Sequence, residues 1–314
     1  MTRSTISRVL LTLLVGGLLL AAGCGTGTKA TETAGNAPLD VIASVSFLAD
    51  IAQNVAGDRF AVRSLVPLDT DPHSFEPTPA DLREVATADL VVVNGSGLEG
   101  PLLKTLENAG GEATIVDASA GLQSRSPQPG EPPLESSETD PHFWLDPVLV
   151  KTYVANIRDA FLKADPDGAA LYDANAAAYA KRLDKLDAWI RSQVATVPAA
   201  NRLLVMNHAS HGYYADRYGF SVVGTVIPSV GTGETPTAKQ LGDLTAAIRA
   251  SGAKAIFVEI EENPKLAEQI AAETGIVVVD DLLDHSLTAP DGVAPTYIDM
   301  MKFDTRRIVE ALRQ

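Results

Sequence analysis

The chain has 314 residues, 46% of them hydrophobic and 21% charged, a composition that suits a folded globular protein long enough for two domains. Its 25 Lys and Arg against 40 Asp and Glu give a net charge of −15, which argues against nucleic acid as a partner, because phosphate binding needs a basic surface. The single cysteine, Cys24, rules out a disulfide within the chain.

The first segment accounts for that cysteine. Arg3 and Arg8 form a positive start, residues 9–20 are apolar, and Ala21-Ala22-Gly23 places small residues before Cys24. Residues 1–23 therefore read as a secretory signal, too short for a typical spanning helix. Small residues directly before a cysteine resemble a bacterial lipobox. The resemblance implies cleavage before Cys24 and a lipid anchor on its thiol and new amine. The alternative is a plain signal peptide cut near Ala22, leaving a free thiol. Residues 24–38 then form a lipidated cysteine and a flexible tether of small polar residues.

Beyond the tether, short apolar runs rich in Val and Ile alternate with helical patterns. Strands are predicted at 40–45, 61–66, 89–94 and 113–117, and again at 203–207, 221–226, 254–259 and 276–280. Helices are predicted near 46–57, 79–87, 98–109, 208–219, 237–250 and 262–273. The alternation predicts an α/β fold of two lobes, each with a four-stranded, mostly parallel sheet flanked by helices. Between the two sets, Leu171, Ala174, Ala178, Leu183, Leu186 and Ile190 recur at helical spacing. They predict one long rigid helix, with Asp167 as its N-cap and Pro198 as its stop. The expected divisions are an N-terminal lobe at 39–165, a linking helix at 166–198 and a C-terminal lobe at 199–314. Residues 121–140 carry four prolines and no apolar periodicity, so they read as a mobile surface loop.

Four of the five histidines fall beyond the carboxyl ends of predicted strands, where open parallel sheets bind their ligands. His73 and His142 each end an Asp-Pro-His tripeptide, in which proline presents the imidazole on a stiff, extended step. His208 directly follows one strand and His285 follows another. Two come from each half, and two facing lobes would bring them to one cleft. Neutral imidazole is the commonest protein ligand for a transition metal, and nitrogen-rich sites favour zinc. No GxSxG, P-loop or HExxH is present to suggest a hydrolase or a nucleotide site. Each histidine also has a plain structural reading as a loop or capping residue. His211, three residues after His208 on the predicted helix, reads as packing, with a fifth ligand as the other choice. Trp144, Tyr213, Tyr214 and Tyr218 read as packing. Asp71, Asp140 and Glu259 are candidates to orient the imidazoles from behind.

Taken together these landmarks resemble the bacterial metal-binding solute-binding proteins of ABC importers, the zinc and manganese branch known as cluster A-I. The resemblance rests on the segments 71–79 (DPHSFEPTP) and 141–147 (PHFWLDP), on Asn207-His208 with Gly212-Tyr213-Tyr214, and on His285-Ser286-Leu287 leading to 294–301 (APTYIDMM). It covers about residues 40–312. It implies two α/β lobes joined by a rigid helix, with one metal ion in the cleft delivered to a membrane permease and its ATPase. By position it implies His73, His142 and His208 as ligands, the third being histidine in zinc importers and often glutamate in manganese importers. The fourth position holds Asp in most of the family. Aligning Ser286-Leu287 places His285 there, with Asp284 as the alternative fourth ligand. The loop 121–140 has no histidine, as in manganese importers. Zinc is the expected ion and manganese the alternative. A lipid-anchored, monomeric, non-enzymatic protein outside the cytoplasmic membrane is implied. A cell-surface adhesin and an extracellular zinc hydrolase are the rival classes.

Overall fold

The computed structural model describes residues 38–109, 113–134 and 139–313. The expected signal peptide, Cys24 and the tether up to residue 37 lie outside the described residues. Each predicted apolar run becomes a strand. In the first lobe the order along the chain is β1 (Val41–Ala43), α1 (Ser46–Ala56), β2 (Val62–Ser64), α2 (Pro79–Thr87), β3 (Leu90–Val93), α3 (Gly100–Ala109) and β4 (Thr114–Asp117). Two helices precede the second lobe, α4 (Val150–Ala164) and α5 (Ala169–Val194). The second lobe is β5 (Leu203–Met206), α6 (Gly212–Tyr218), β6 (Ser221–Thr225), α7 (Ala238–Ser251), β7 (Ala255–Glu259), α8 (Lys265–Thr274), β8 (Val277–Leu282) and α9 (Tyr297–Leu312).

The sheets run β2-β1-β3-β4 and β6-β5-β7-β8, with every pairing parallel. The two orders are the same, so both lobes reverse direction between their first and third strands. That reversal opens a crevice at the strand ends, the usual ligand position in such sheets. His208 follows β5 and Glu259 ends β7, one on either side of the second lobe's crevice. The β7–β8 register shifts between Phe257, opposite Val279, and Glu259, opposite Leu282, a local irregularity just before the strand end.

The linking helix α5 has 26 residues, or ~39 Å at 1.5 Å per residue. Its buried stripe of Tyr172, Ala176, Tyr179, Leu183, Leu186, Ile190 and Val194 packs on α1 and α4 and also on α9. It begins at Ala169, and Asp167 does not cap it. A short turn at Pro166–Gly168 precedes it, and Asp165 is turned toward Arg59, with contacts of 2.5 and 2.7 Å. Helices α4 and α9 add two elements that the sequence reading did not single out.

One apolar cluster threads both lobes, from Val41 and Phe47 through Trp144 to Phe257, Tyr297 and Met300. Trp144 is its crossing point. It stacks on Phe47 with centroids 4.7 Å apart, donates Nε1–H to Asp284 O at 2.6 Å, and accepts from Tyr297 Oη on its own carbonyl at 2.6 Å. The lobes are thus joined by a shared core as well as by α5. Truncating a buried Trp to Ala costs ~3–5 kcal/mol. Separate clusters fill the outer face of each sheet, around Val91 and Leu102 in one and Ile256 and Ile270 in the other.

Residues 121–134, expected as part of a mobile loop, lie against the second lobe. Gln128 donates to Phe220 O and accepts from Val222 N–H, and Arg125 pairs with Asp216 of α6. Among the described residues no helix is long and apolar enough to cross a membrane.

Candidate metal centre

The two Asp-Pro-His tripeptides fold alike. Asp71 Oδ1 accepts the backbone N–H of His73 at 2.9 Å, and Asp140 Oδ1 accepts that of His142 at 3.1 Å. Each is a turn closed by an aspartate onto the residue two positions later, with proline presetting the step between. The aspartate therefore explains as much of the motif as the proline does. Asp71 is fixed in turn by Ser74 and, across the cleft, by Thr232 Oγ1 at 2.5 Å.

His208 stands directly beyond β5, where Asn207 N–H still bonds Phe257 O and Ala209 N–H bonds Ser229 O. Residues 208–211 form a turn and α6 starts only at Gly212, so His208 and His211 do not share a helix face as the sequence reading expected. His285 follows β8 in a turn closed by Ser286 N–H on Leu283 O.

All four sequence-predicted histidines meet. His73, His142, His208 and His285 each bring a ring nitrogen to within 4.8 Å of the others. His142 Nε2 lies 3.3 Å from His73 Nε2 and 3.4 Å from His208 Nε2. His285 Nε2 is buried and has no hydrogen-bond partner. His142, His208 and His285 are buried, whereas His73 is half-buried and lines a cavity of about 330 Å³ with Ser96, Thr139 and Ser229.

Carboxylates stand behind three of the rings. His142 Nδ1 is 2.9 Å from Asp140 Oδ1, His208 Nδ1 is 3.1 Å from Glu259 Oε1, and His285 Nδ1 is 3.0 Å from Glu261 Oε1 and 3.2 Å from Asp284 Oδ1. A proton held on Nδ1 by a carboxylate leaves the Nε2 lone pair free. His142 and His285 make such bonds, whereas His208 Nδ1 stands beside Glu259 without one, and the rings converge on a small space that a cation would fill. Zn–N bonds of ~2.0–2.1 Å in a regular tetrahedron set neighbouring nitrogens ~3.3–3.4 Å apart, the spacing seen around His142.

The electrostatics divide the ring. Burial, then the neighbouring imidazoles, push His142 and His73 well below the ordinary histidine value. Burial acts the same way on His208, but Glu259 outweighs it and raises that ring. His285 is raised strongly, because Asp284 and Glu261 together overcome its burial. Asp284 is buried yet held low by His285 first and then His211 and His208. Asp284 sits behind His285, and its carboxylate groups with His211 and Glu259 and with Glu261 and His285, while the imidazole of His285 joins the other three. Trp144 forms one wall, with its ring centroid 5.0 Å from that of His142 and 5.7 Å from that of His285. Tyr213, Tyr214 and Tyr218 are core residues, as expected.

Glu261 was missed by sequence reasoning. It stands in the turn directly after β7, closed by Glu262 N–H on Glu259 O, so no strand alternation could place it beside His285.

Residues 41–311 match the family described as zinc-uptake complex component A, periplasmic. The chain belongs to that family. It is 35% identical over 297 residues to the manganese-binding lipoprotein MntA of Halalkalibacterium halodurans, covering 94% of this chain and 95% of that one. It is 31% identical to the iron-binding protein YfeA of Yersinia pestis, covering 87% and 86%. Among solved structures, the periplasmic zinc-binding protein TroA from Treponema pallidum superposes with a TM-score of 0.80 at 27% identity, covering 88% of this chain and 100% of that one. The two-lobed α/β fold and the family expected from the sequence are thus both found.

Proposed function

We propose that the protein is the metal-binding component of an ABC-type importer, capturing one divalent transition-metal ion between its lobes and delivering it to a membrane permease driven by an ATPase. His73, His142, His208 and His285 are the ligands. The observation that carries the reading is the convergence of four imidazoles, three backed by carboxylates, at spacings that suit a tetrahedral ion. Zinc is the ion best matched to an all-nitrogen, four-coordinate set. His285 supplies the fourth ligand and Asp284 supports it from behind. Such a closed set leaves no open position for a substrate or an activated water, which favours a carrier over a hydrolase.

Manganese is the second reading. The relative named for manganese supports it, as do the carboxylates Glu259, Glu261 and Asp284 beside the site, which suit a harder ion. Competitive native mass spectrometry with equal zinc and manganese tests the choice. Zinc occupancy is expected, and manganese outcompeting zinc would overturn the nitrogen-ligand reading. Turnover of peptide, ester or phosphoester panels that is lost in His208→Ala would overturn the carrier reading.

The signal-like residues 1–23 and the lipobox-like Ala21-Ala22-Gly23-Cys24 support an extracytoplasmic protein anchored by lipid on Cys24, as the lipoprotein name of the 35% identical relative also does. Residues 39–165 and 199–314 act as the two arms around the helix at 166–198, in a monomer.

A further inference from the structure

A metal carrier's ligand set does not by itself explain the course of residues 121–134. The segment leaves the first lobe after β4, lies along the second lobe, and is followed by Asp140, two residues before His142. Arg125, with its side chain only 8% exposed, holds it there. Its Nε donates to Asp216 Oδ2 on α6 at 2.7 Å, its Nη2 pairs with Glu131 Oε2 at 2.7 Å, and its Nη1 stands 3.6 Å from Asp140 Oδ2. Arg125 N–H donates to Tyr213 Oη at 3.3 Å, and that hydroxyl donates to Asp140 O at 3.0 Å. Further along, Gln128 accepts from Val222 N–H at 3.0 Å on β6, the edge strand of the second sheet.

The seat is shaped for the strap on both sides. A Cβ at Gly130 would lie 2.0 Å from the carbonyl oxygen of Val222, and one at Gly212 would lie 2.1 Å from Arg125 Nη1. At Gly130 the neighbour is backbone, so only glycine admits the approach, whereas at Gly212 it is the Arg125 guanidinium, which would have to shift. On the strap's far side, Asp140 Oδ1 serves both the backbone and the ring of His142. Arg125 is the cation beside its other oxygen, and a buried carboxylate without a compensating charge is costly.

We propose that Arg125 is a positioning residue for the metal site. It latches the strap of the first lobe onto α6 and β6 of the second, fixes Asp140 and His142 opposite His208, and sets how long the ion is retained. The inference deepens the metal-carrier reading and rests on His142 as a ligand. The geometry links the two: α6 directly follows the His208–His211 turn, so moving His208 away from His142 draws Asp216, Tyr213 and β6 off the strap. Contacts broken only on opening slow dissociation and leave association largely unchanged.

The test is stopped-flow release of zinc from the protein into excess chelator, with association rates and the metal-free melting temperature measured alongside. Arg125→Met removes the charge, and Gly130→Ala keeps every charge but drives the strap from Val222. Both are expected to speed release by ~10–100-fold, the range for losing an outer-sphere partner, with association within about twofold of the parent protein. Arg125→Lys, which keeps the charge but loses the fork, is expected between the parent and Arg125→Met. Parent-like release in both variants, or a change confined to the metal-free melting temperature, overturns the proposal. Fast release in Arg125→Met with parent-like release in Gly130→Ala also overturns it, because the effect would then be the charge beside Asp140 alone. His142→Ala with undiminished zinc affinity would instead overturn the ligand set, and the latch with it.

Discussion

The two lobes contribute two imidazoles each, but in unlike surroundings. His73 is half-buried at the mouth of a cavity, and its turn is held through Asp71 by Ser74 and by Thr232 of the other lobe. His142 has one carboxylate, Asp140, which Arg125 accompanies. The second lobe surrounds His208 and His285 with Glu259, Glu261 and Asp284, all buried or nearly so, and both Asp284 oxygens and one oxygen of each glutamate lack a hydrogen-bond partner. Buried carboxylates short of donors are expensive unless a cation is near. The second lobe therefore holds the charge that a divalent ion would relieve, and His73 of the first lobe stands at a cavity that both lobes line.

The largest effects should come from removing single imidazoles, two in the second lobe and one in the first. His208→Ala and His285→Ala should each lower zinc affinity by more than the ~10–100-fold typical of an outer-sphere loss, because each deletes a proposed ligand and strands a carboxylate. His73→Ala should weaken binding least of the three, since no described carboxylate stands behind its ring. Competition against a chelator of known affinity reads all three, and a His73 variant weaker than the other two would reverse the assignment.

Metal itself should stabilise the fold, because it joins groups from both lobes. Zinc at a hundredfold its dissociation constant is expected to add about 2.7 kcal/mol. Thermal melts with and without chelator measure it, and the gain should shrink in step with affinity across the histidine variants. A gain that persists undiminished in His208→Ala would place the stabilising ion elsewhere.

A smaller effect separates the carboxylates. Glu259→Gln keeps the shape of the residue behind His208 but removes its charge, so zinc affinity should fall by ~10–100-fold. Asp71→Asn, in the first lobe, retains an oxygen able to accept the His73 N–H and should cost less. Equal losses at the two positions, read by the same competition, would remove the proposed asymmetry of charge.

Much of this was legible in the sequence because buried parallel strands write themselves as short apolar runs. Among the described residues all eight strands fall where Val- and Ile-rich segments placed them, and the four histidines follow from standing at strand ends. What could not be read depended on distant partners. The strap at 121–134 lacks periodicity, since its order comes from Arg125 meeting Asp216 and from two glycines meeting backbone and side chain. The α6 start was misplaced because residues 208–211 continue the helical pattern in sequence, while tertiary contacts of Asn207 and Ala209 hold them in a turn. Asp167 had the right residue type for a cap, but the chain turns before Ala169 as Asp165 reaches Arg59.

That last pair gives the smallest expected effect and the cleanest separation of scaffold from site. Arg59 holds the Asp165 carboxyl at about 2, below its ordinary 3.8, first through their hydrogen bond and against the opposing effect of burial. A carboxyl lowered on folding adds stability that is complete above its ordinary value and is lost as pH falls from there through about 2. The partial exposure of Arg59 leaves the pair screened, so the contribution is modest. Arg59→Met should therefore lower the melting temperature of the metal-free protein slightly at neutral pH and flatten its decline between about pH 4 and 2. Zinc affinity at neutral pH should stay at the parent value, because the pair anchors the base of α5 and touches no histidine. A loss of affinity in this variant would mean that the linking helix transmits strain to the cleft, and the two lobes would then differ in coupling as well as in charge.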